Sequence, residues 1–290
     1  MRTLREYIKE AEEKKVAIGH FNISNIETLH GIYNAVKKLG VPVIIGVSEG
    51  EEEFIGKDEV TVLIKEIRER DNYPIFLNAD HHYTFSSVKL ALDTGYDAVI
   101  IDAVKLPLEE NIALTKQCVE YARQLSSKEG RDILVEAELG FIGQSSKLLD
   151  TIPEGVSEKT MTSPDEAKKF VEQTDIDMLA PSVGNIHGMV KGGNPKLDIN
   201  RIKEIRSVCG VPLVLHGGSG ISDEDFTNAI KAGISIIHIN TEIRVAYKEA
   251  LEKYLNENPS EIAPYKILKP GVDAISEVVE KRLKLFNNIS

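Results

Sequence analysis

Eight short apolar runs recur along this chain, and longer stretches of helical character lie between them. The runs fall at 16–22, 41–48, 74–81, 97–103, 132–139, 177–184, 211–216 and 235–240. Each is nearly continuous in Val, Ile, Leu and Ala, the pattern of a parallel strand buried on both faces. The clearest helical patterns cover 107–126, 198–208 and 222–231. Helix-start chemistry precedes several of them. Ser163-Pro164-Asp165-Glu166 offers an N-cap, a first-turn proline and a carboxylate at the third position, and Ser222-Asp223-Glu224-Asp225 repeats this without proline.

Eight strands alternating with helices, with no internal repeat, linker or domain-sized break, predict a single α/β domain over 1–290. Its fold class is the (β/α)₈ TIM barrel. One helix (3–14) precedes the first strand, and further helices (243–257 and 272–286) follow the last. A doubly wound sheet is the alternative, but no GxGxxG follows the first strand. From Gly140 to Met161 about twenty residues separate strand five from its helix. A loop that long at the carboxyl end of a barrel strand reads as an active-site lid.

The barrel gives the histidines a meaning. Six of the 7 histidines end or closely follow a predicted strand: His20, His81, His82, His187, His216 and His238. Only His30 falls inside a predicted helix. Strand ends converge on one mouth, so these imidazoles are expected to crowd one cavity. His81, His187 and His216, from strands three, six and seven, supply the three nitrogen ligands that a catalytic metal needs. A lone histidine is more often a hydrogen-bonded core residue; three at matching strand ends are not.

Asp80, beside His81, would stay ionised near a cation and could take a proton from a substrate hydroxyl. The plainer reading is a partner that orients a histidine. Glu136 and Glu138 lie on strand five. The run His216-Gly217-Gly218-Ser219-Gly220 lets backbone N–H groups approach an anion at a helix start, which points to phosphate. A tight turn alone needs fewer glycines. Gly188 and the Lys191-Gly192-Gly193 run serve the same anion or form a plain surface turn.

A net charge of −11 disfavours nucleic acid as a partner. No apolar run approaches the eighteen residues of a membrane span. The charged N-terminus lacks a signal-peptide core, so a soluble cytoplasmic protein is expected. The 2 cysteines, Cys118 and Cys209, are expected to be buried thiols.

The quoted motifs resemble those of the class II, metal-dependent ketose-bisphosphate aldolases, a family that includes fructose- and tagatose-bisphosphate aldolases. The resemblance runs over nearly the whole chain. It rests on HFNISN (20–25), NADHH (78–82), VEAELG (135–140), VGNIHGMVKGGNPKLD (183–198), VPLVLHGGSGISDED (211–225) and INTE (239–242). It implies a divalent metal, zinc first, on His81, His187 and His216, with Glu138 able to approach it, and it admits a monovalent cation. It implies that Asp80 handles the C4 hydroxyl during carbon–carbon cleavage. Gly188, Gly217, Ser219 and Thr241 would cradle dihydroxyacetone phosphate, with Lys191, Gly218, His238 and Asn240 nearby. Ser48 would sit near the second phosphate and Asn22 beside the substrate. A sugar-phosphate substrate and a homo-oligomer, dimer or tetramer, follow.

The chain departs from the family pattern in four places. His82 replaces the usual glycine, and His238 the usual asparagine. The lid carries Gln144 and Ser145 where acidic residues are usual. Near the C-terminus Ala263-Pro264-Tyr265-Lys266 replaces Asp-Pro-Arg, leaving Lys266 as the expected cation for the second phosphate. The expected reaction is cleavage of fructose 1,6-bisphosphate. The alternatives are another ketose phosphate or aldehyde partner, a metal-dependent hydrolase or epimerase, or a sugar-phosphate binder without turnover.

Overall fold

The computed structural model describes residues 2–143 and 146–289. The expected lid residues Gln144 and Ser145 lie outside the described residues. The barrel strands are β1 (Ile18–Asn22), β2 (Val43–Ser48), β3 (Ile75–His82), β4 (Ala98–Ile101), β5 (Leu134–Leu139), β6 (Met178–Pro181), β7 (Leu213–Leu215) and β8 (Ile234–Ile239). They pair in sequence order, all parallel, and β8 closes on β1 with His238 opposite His20. The expected barrel is therefore the observed one.

The helices are α1 (Leu4–Lys14), α2 (Ile26–Leu39), α3 (Glu49–Ile55), α4 (Lys57–Asp71), α5 (Phe85–Thr94), α6 (Leu108–Glu129), α7 (Pro164–Thr174), α8 (Ile199–Cys209), α9 (Asp223–Ala232), α10 (Thr241–Glu257) and α11 (Pro264–Phe286). The caps read from sequence are made: Ser163 accepts from the Glu166 amide and Ser222 from the Asp225 amide. α11 begins at Pro264 rather than at 272. Pro270 sits inside it, and Gly271 lies so close to the Tyr247 ring of α10 that a Cβ there would come within 2.5 Å of it. Packing carries the helix past a local breaker. No helix among the described residues is long and apolar enough to cross a membrane.

The barrel interior is layered, and the layering places the chemistry. At the amino end, Ile18, Ile44, Phe76, Ala98, Leu134, Met178, Val214 and Ile236 pack against Leu4, Ile8 and Ala11 of α1, which plugs that end. Side chains two residues apart share a face of a strand. Two residues further on, the inward positions carry His20, Gly46, Asn78, Glu136, His216 and His238. The interior thus changes from a dry plug to an ionisable layer within one step of the pleat. A second apolar core fills the space between the strands and the helix ring.

The long β5–α7 connection is anchored. Leu148–Leu149 pairs with Met189–Val190 of the β6–α8 loop, so the two loops form a small sheet over one side of the mouth.

Candidate active site

Local backbone geometry aims the strand-end histidines. His81 stands within β3 at φ 50°, in the left-handed region, where the β3–β4 register shifts between Ala79 and His82. A non-glycine residue there costs about 1–3 kcal/mol and persists only where its surroundings fix it. The irregularity breaks strict alternation, so the adjacent Asp80 and His81 both line the cavity at the mouth. His187 and His216 are brought together by backbone contact. A Cβ on Gly217 would lie 2.1 Å from the Ile186 carbonyl oxygen, so only glycine allows the two loops this approach. Asn185 ties the same loops, accepting from the Val183 amide and donating to the His216 carbonyl at 3.0 Å.

Three rings meet edge-on as a result. The His81 centroid lies 4.8 Å from that of His187 and 4.9 Å from that of His216, with interplanar angles of 70° in both pairs. Together with Glu138 they offer four ligand atoms within 4.8 Å of one another. Three imidazoles and a carboxylate are a donor set that suits zinc and its neighbours in the first transition row. Carboxylates orient two of the rings. Asp102 lies 3.0 Å from His81 Nδ1, and Glu136 lies 2.6 Å from His216 Nε2. Such contacts fix ring direction and raise ligand basicity. The residues therefore fit a divalent metal.

The electrostatics agree with this. Burial alone would lower His81, but Asp80, Asp102 and Glu138 outweigh it and raise it to about 9. His216 is likewise raised against its burial by Glu136 and Glu138. Asp80 is buried, which by itself would raise its pKa. The facing His81 and His216, with the Asn22 amide, hold it low instead, so it is ionised at neutral pH. Asn22 donates to Asp80 Oδ2 at 2.6 Å, and Asp80 Oδ1 has no hydrogen-bond partner among the described residues. One carboxylate oxygen is thus held, and the other is buried without a hydrogen bond, 3.8 Å from His81 Nε2 and 3.7 Å from His238 Nδ1.

His20, His238 and His216 form a different arrangement. His20 and His238 stack at 3.5 Å with planes 3° apart, and His238 stacks on His216 at 4.2 Å. Lone pairs lie in the ring plane, so two parallel rings cannot both aim at one ion. The His20–Asp80–His238 group is therefore not a second ligand set. Burial lowers His20 to about 4, and burial with the neighbouring His20 and His216 pushes His238 well below the usual value, so both are neutral imidazoles. The expectation that six imidazoles share one cavity needs correction. His82 is buried outside the mouth, 3.5 Å from Glu52 on α3. Its side chain follows the opposite pleat.

A glycine-rich cavity wall lies beside the three clustered histidines. Gly188, Gly217, Ser219, His238, Asn240 and Thr241 line one cavity with Asn22, Asp80, His81 and His187. Thr241 opens α10, and a helix start favours an anion. Ser219 Oγ accepts from the Glu242 amide, which leaves its O–H to donate. Two sequence candidates fall away. Gly218 gives its N–H to the His238 carbonyl at 3.0 Å. Lys191 is exposed and pairs with Asp150 at 2.7 Å, so the Lys191-Gly192-Gly193 run is a surface turn. That turn serves the site indirectly: Asn194 bridges the carbonyls of Gly188 and Ser219.

A second cavity of about 200 Å³ adjoins the first and is lined by Ser48, Tyr83, Asp102, Asn240 and Arg244 together with Asn22, Asp80 and His81. Ser48 stands where expected, but its hydroxyl is donated to Glu51 at 2.8 Å. Lys266 does not line either cavity; it pairs with Glu261 on the outer face of α11. Sequence reasoning gave no role to Asp102, Glu136, Asn185 or Arg244. Asp102 was open to detection as the first polar residue after β4, whereas Glu51 was hidden in a run of acids.

The chain matches the family model described as "Fructose-bisphosphate aldolase class-II" over residues 2–290. The chain belongs to the class-II fructose-bisphosphate aldolase family. It is 39% identical over 289 residues to the fructose-bisphosphate aldolase of Geobacillus stearothermophilus, spanning 99% of this chain and 96% of that one. The Staphylococcus aureus fructose-bisphosphate aldolase is 37% identical over 287 residues, or 98% and 96% of the two chains. The crystal structure of the YdjI aldolase from Escherichia coli K12 superposes with a TM-score of 0.83 at 32% identity, covering 98% and 96%. As a class-II aldolase the chain is a metal-dependent lyase. It cleaves and forms the carbon–carbon bond of a ketose bisphosphate, and its small-molecule partner is a sugar phosphate.

Proposed function

We propose that this aldolase cleaves fructose 1,6-bisphosphate to dihydroxyacetone phosphate and glyceraldehyde 3-phosphate, with Zn²⁺ as its metal. The observation that carries this is the adjacency of three features: the His81–His187–His216 cluster with Glu138, the Asp80 oxygen without a hydrogen bond, and the glycine-rich cradle at the start of α10. When bound, the ion supplies Lewis-acid polarisation of the ketose carbonyl. Asp80 is ionised and takes the proton of the substrate's C4 hydroxyl on cleavage, returning it on condensation. Asn22 holds Asp80 in place through Oδ2. Gly188, Gly217, Ser219 and Thr241 hold the phosphate of the three-carbon ketose. Neutral His238 and Asn240 line the same space and orient the substrate by hydrogen bonds.

One observation favours a second reading, a different aldehyde partner in the same site. His238, in place of the family's usual asparagine, lines the cavity and is backed by the stacked His20. A homo-oligomer is supported by the family and by large apolar side chains left exposed, Phe54 at 78% and Ile262 at 87%. A cytoplasmic, glycolytic or gluconeogenic role accords with the substrate.

The test is product analysis with and without a chelator. Wild-type enzyme is expected to release triose phosphates from fructose 1,6-bisphosphate, to lose this activity on chelation, and to recover it with Zn²⁺. Inorganic phosphate as the product would mean a hydrolase. Activity that survives chelation and is trapped by borohydride would mean Schiff-base chemistry.

A further inference from the structure

Asp80 is only as well placed as the amide that holds it. We propose that Glu51, on α3, is a positioning residue for Asp80 and acts through Asn22. This rests on the cleavage reaction of the preceding section.

A carboxylate taken out of water needs hydrogen bonds in its place, because an unpaired buried charge is costly. Glu51 is buried and accepts four such bonds from three other elements. Asn22 Nδ2 on β1 donates to Oε2 at 2.9 Å, and the Ser48 amide and hydroxyl at the end of β2 donate to the same oxygen at 2.8 Å each. Arg244 Nη2 on α10 donates to Oε1. The seat itself is firm. The next residue, Glu52, is also buried, with Lys57 of α4 at 2.8 Å and His82 of β3 at 3.5 Å.

The bond to Asn22 gives Glu51 its role. Asn22 Nδ2 carries two hydrogens, and two carboxylates take them: Glu51 Oε2 at 2.9 Å and Asp80 Oδ2 at 2.6 Å. The amide plane is thereby fixed. Turned over, it would set its oxygen against both carboxylates. With one hydrogen freed it gains play about its terminal torsion, whose preference is broad. The fixed amide holds Asp80 by Oδ2 and leaves Oδ1 without a hydrogen bond among the described residues, as the role proposed for Asp80 requires.

The plain explanation is a helix cap, since Ser48 and Glu51 form a capping box at the start of α3. Ser163 and Glu166 form the same box at the start of α7, with the Ser163 amide at 3.1 Å and its hydroxyl at 2.6 Å from Glu166 Oε2. Glu166 is exposed, and no third residue donates to it among the described residues. A cap therefore needs neither burial nor an asparagine. The other rival is action through Arg244.

Two reactions of the metal-loaded enzyme separate these explanations. One is cleavage of fructose 1,6-bisphosphate. The other is exchange of a hydroxymethyl hydrogen of dihydroxyacetone phosphate with deuterated water, a fragment that has no C4 hydroxyl for Asp80 to serve. Glu51→Ala is expected to lower kcat for cleavage roughly 10- to 100-fold and exchange less than about 3-fold, with bound metal per chain unchanged. Glu51→Met, which fills the same space without a carboxylate, should show the same split. Glu51→Gln keeps an acceptor for Asn22 and should recover cleavage to within about fivefold of wild type. Glu166→Ala should match wild type in both reactions. In an Asn22→Ala background, Glu51→Ala should cost less than about 3-fold more, because two residues on one path are not additive. An equal fall in both reactions, no fall in cleavage, a Glu51→Gln enzyme no better than Glu51→Ala, or a full further loss in the Asn22→Ala background would overturn the assignment. Wild-type enzyme that releases no triose phosphates from fructose 1,6-bisphosphate would overturn the reading of the reaction, and this inference with it.

Discussion

Gly217→Ala is a one-methyl change whose effect the structure sets in some detail. Gly217 adopts φ 61°. An L side chain in that region costs about 1–2 kcal/mol. The added Cβ would also lie 2.1 Å from the Ile186 oxygen, 2.5 Å from the Ile186 carbonyl carbon and 3.1 Å from the His187 nitrogen, where real contacts stay beyond 3.0 Å. All three atoms are backbone, so no side chain can rotate away. The two loops must part by about 0.9 Å at the closest contact. The segment displaced carries His187 and Gly188, the proposed metal ligand and part of the proposed phosphate cradle. A misplacement near 1 Å costs on the order of 100-fold in rate. Strain and repacking together should destabilise the fold by about 2–4 kcal/mol. Gly192→Ala is the matched control, because a Cβ there meets nothing within 4 Å and Gly192 sits in the surface turn. Steady-state kinetics, bound metal per chain and a thermal melt are measured on both variants. The expected result is a roughly 100-fold loss of kcat/KM, weakened metal retention and a lowered Tm for Gly217→Ala, with Gly192→Ala close to wild type. A Gly217→Ala enzyme with full metal and activity within about threefold of wild type would refute the claim that this backbone contact positions His187.

Two further predictions concern other parts of the molecule. Asp80→Ala should keep its metal while losing cleavage, whereas His216→Ala should lose both; metal analysis beside kinetics decides it, and joint loss in Asp80→Ala would make Asp80 a structural partner of the metal site rather than the base. Burial pushes the Cys118 thiol up to about 12 and Cys209 up to about 11, so at pH 8 the thiolate fraction of either is on the order of 0.1% or less. Native protein should leave both thiols unlabelled by a disulfide reagent over minutes and expose two after guanidinium, and rapid native labelling would show that one of these helices opens readily.

Residue order carried the architecture because a parallel barrel is built from local patterns. Continuous Val/Ile/Leu runs marked every strand, and Ser-Pro-Asp-Glu or Ser-Asp-Glu-Asp marked helix starts within a residue of where they lie. His81, His187 and His216 were legible for the same reason: the fold rule that strand ends meet turns a linear spacing into a cluster. What failed locally failed where tertiary packing overrules it. Pro270 and Gly271 read as a helix break, yet α11 runs through them because Gly271 seats against Tyr247.

The sequence by itself determined the fold class and the placing of Asp80, His81, His187 and His216 at strand ends, since each depends only on periodicity and on which residue ends which strand. Only the tertiary structure decided direction and pairing. It sent His82 out of the mouth while the left-handed turn at His81 kept its neighbour in. It stacked His20 on His238, 218 positions away in the chain but opposite each other where β8 closes on β1. It turned Lys191 and Lys266 to the surface and set Arg244 on the cavity wall. The physical reason is common to these cases. Which face a side chain takes depends on a local backbone angle or on a contact between distant segments, and neither is encoded in the spacing of residue types along one segment.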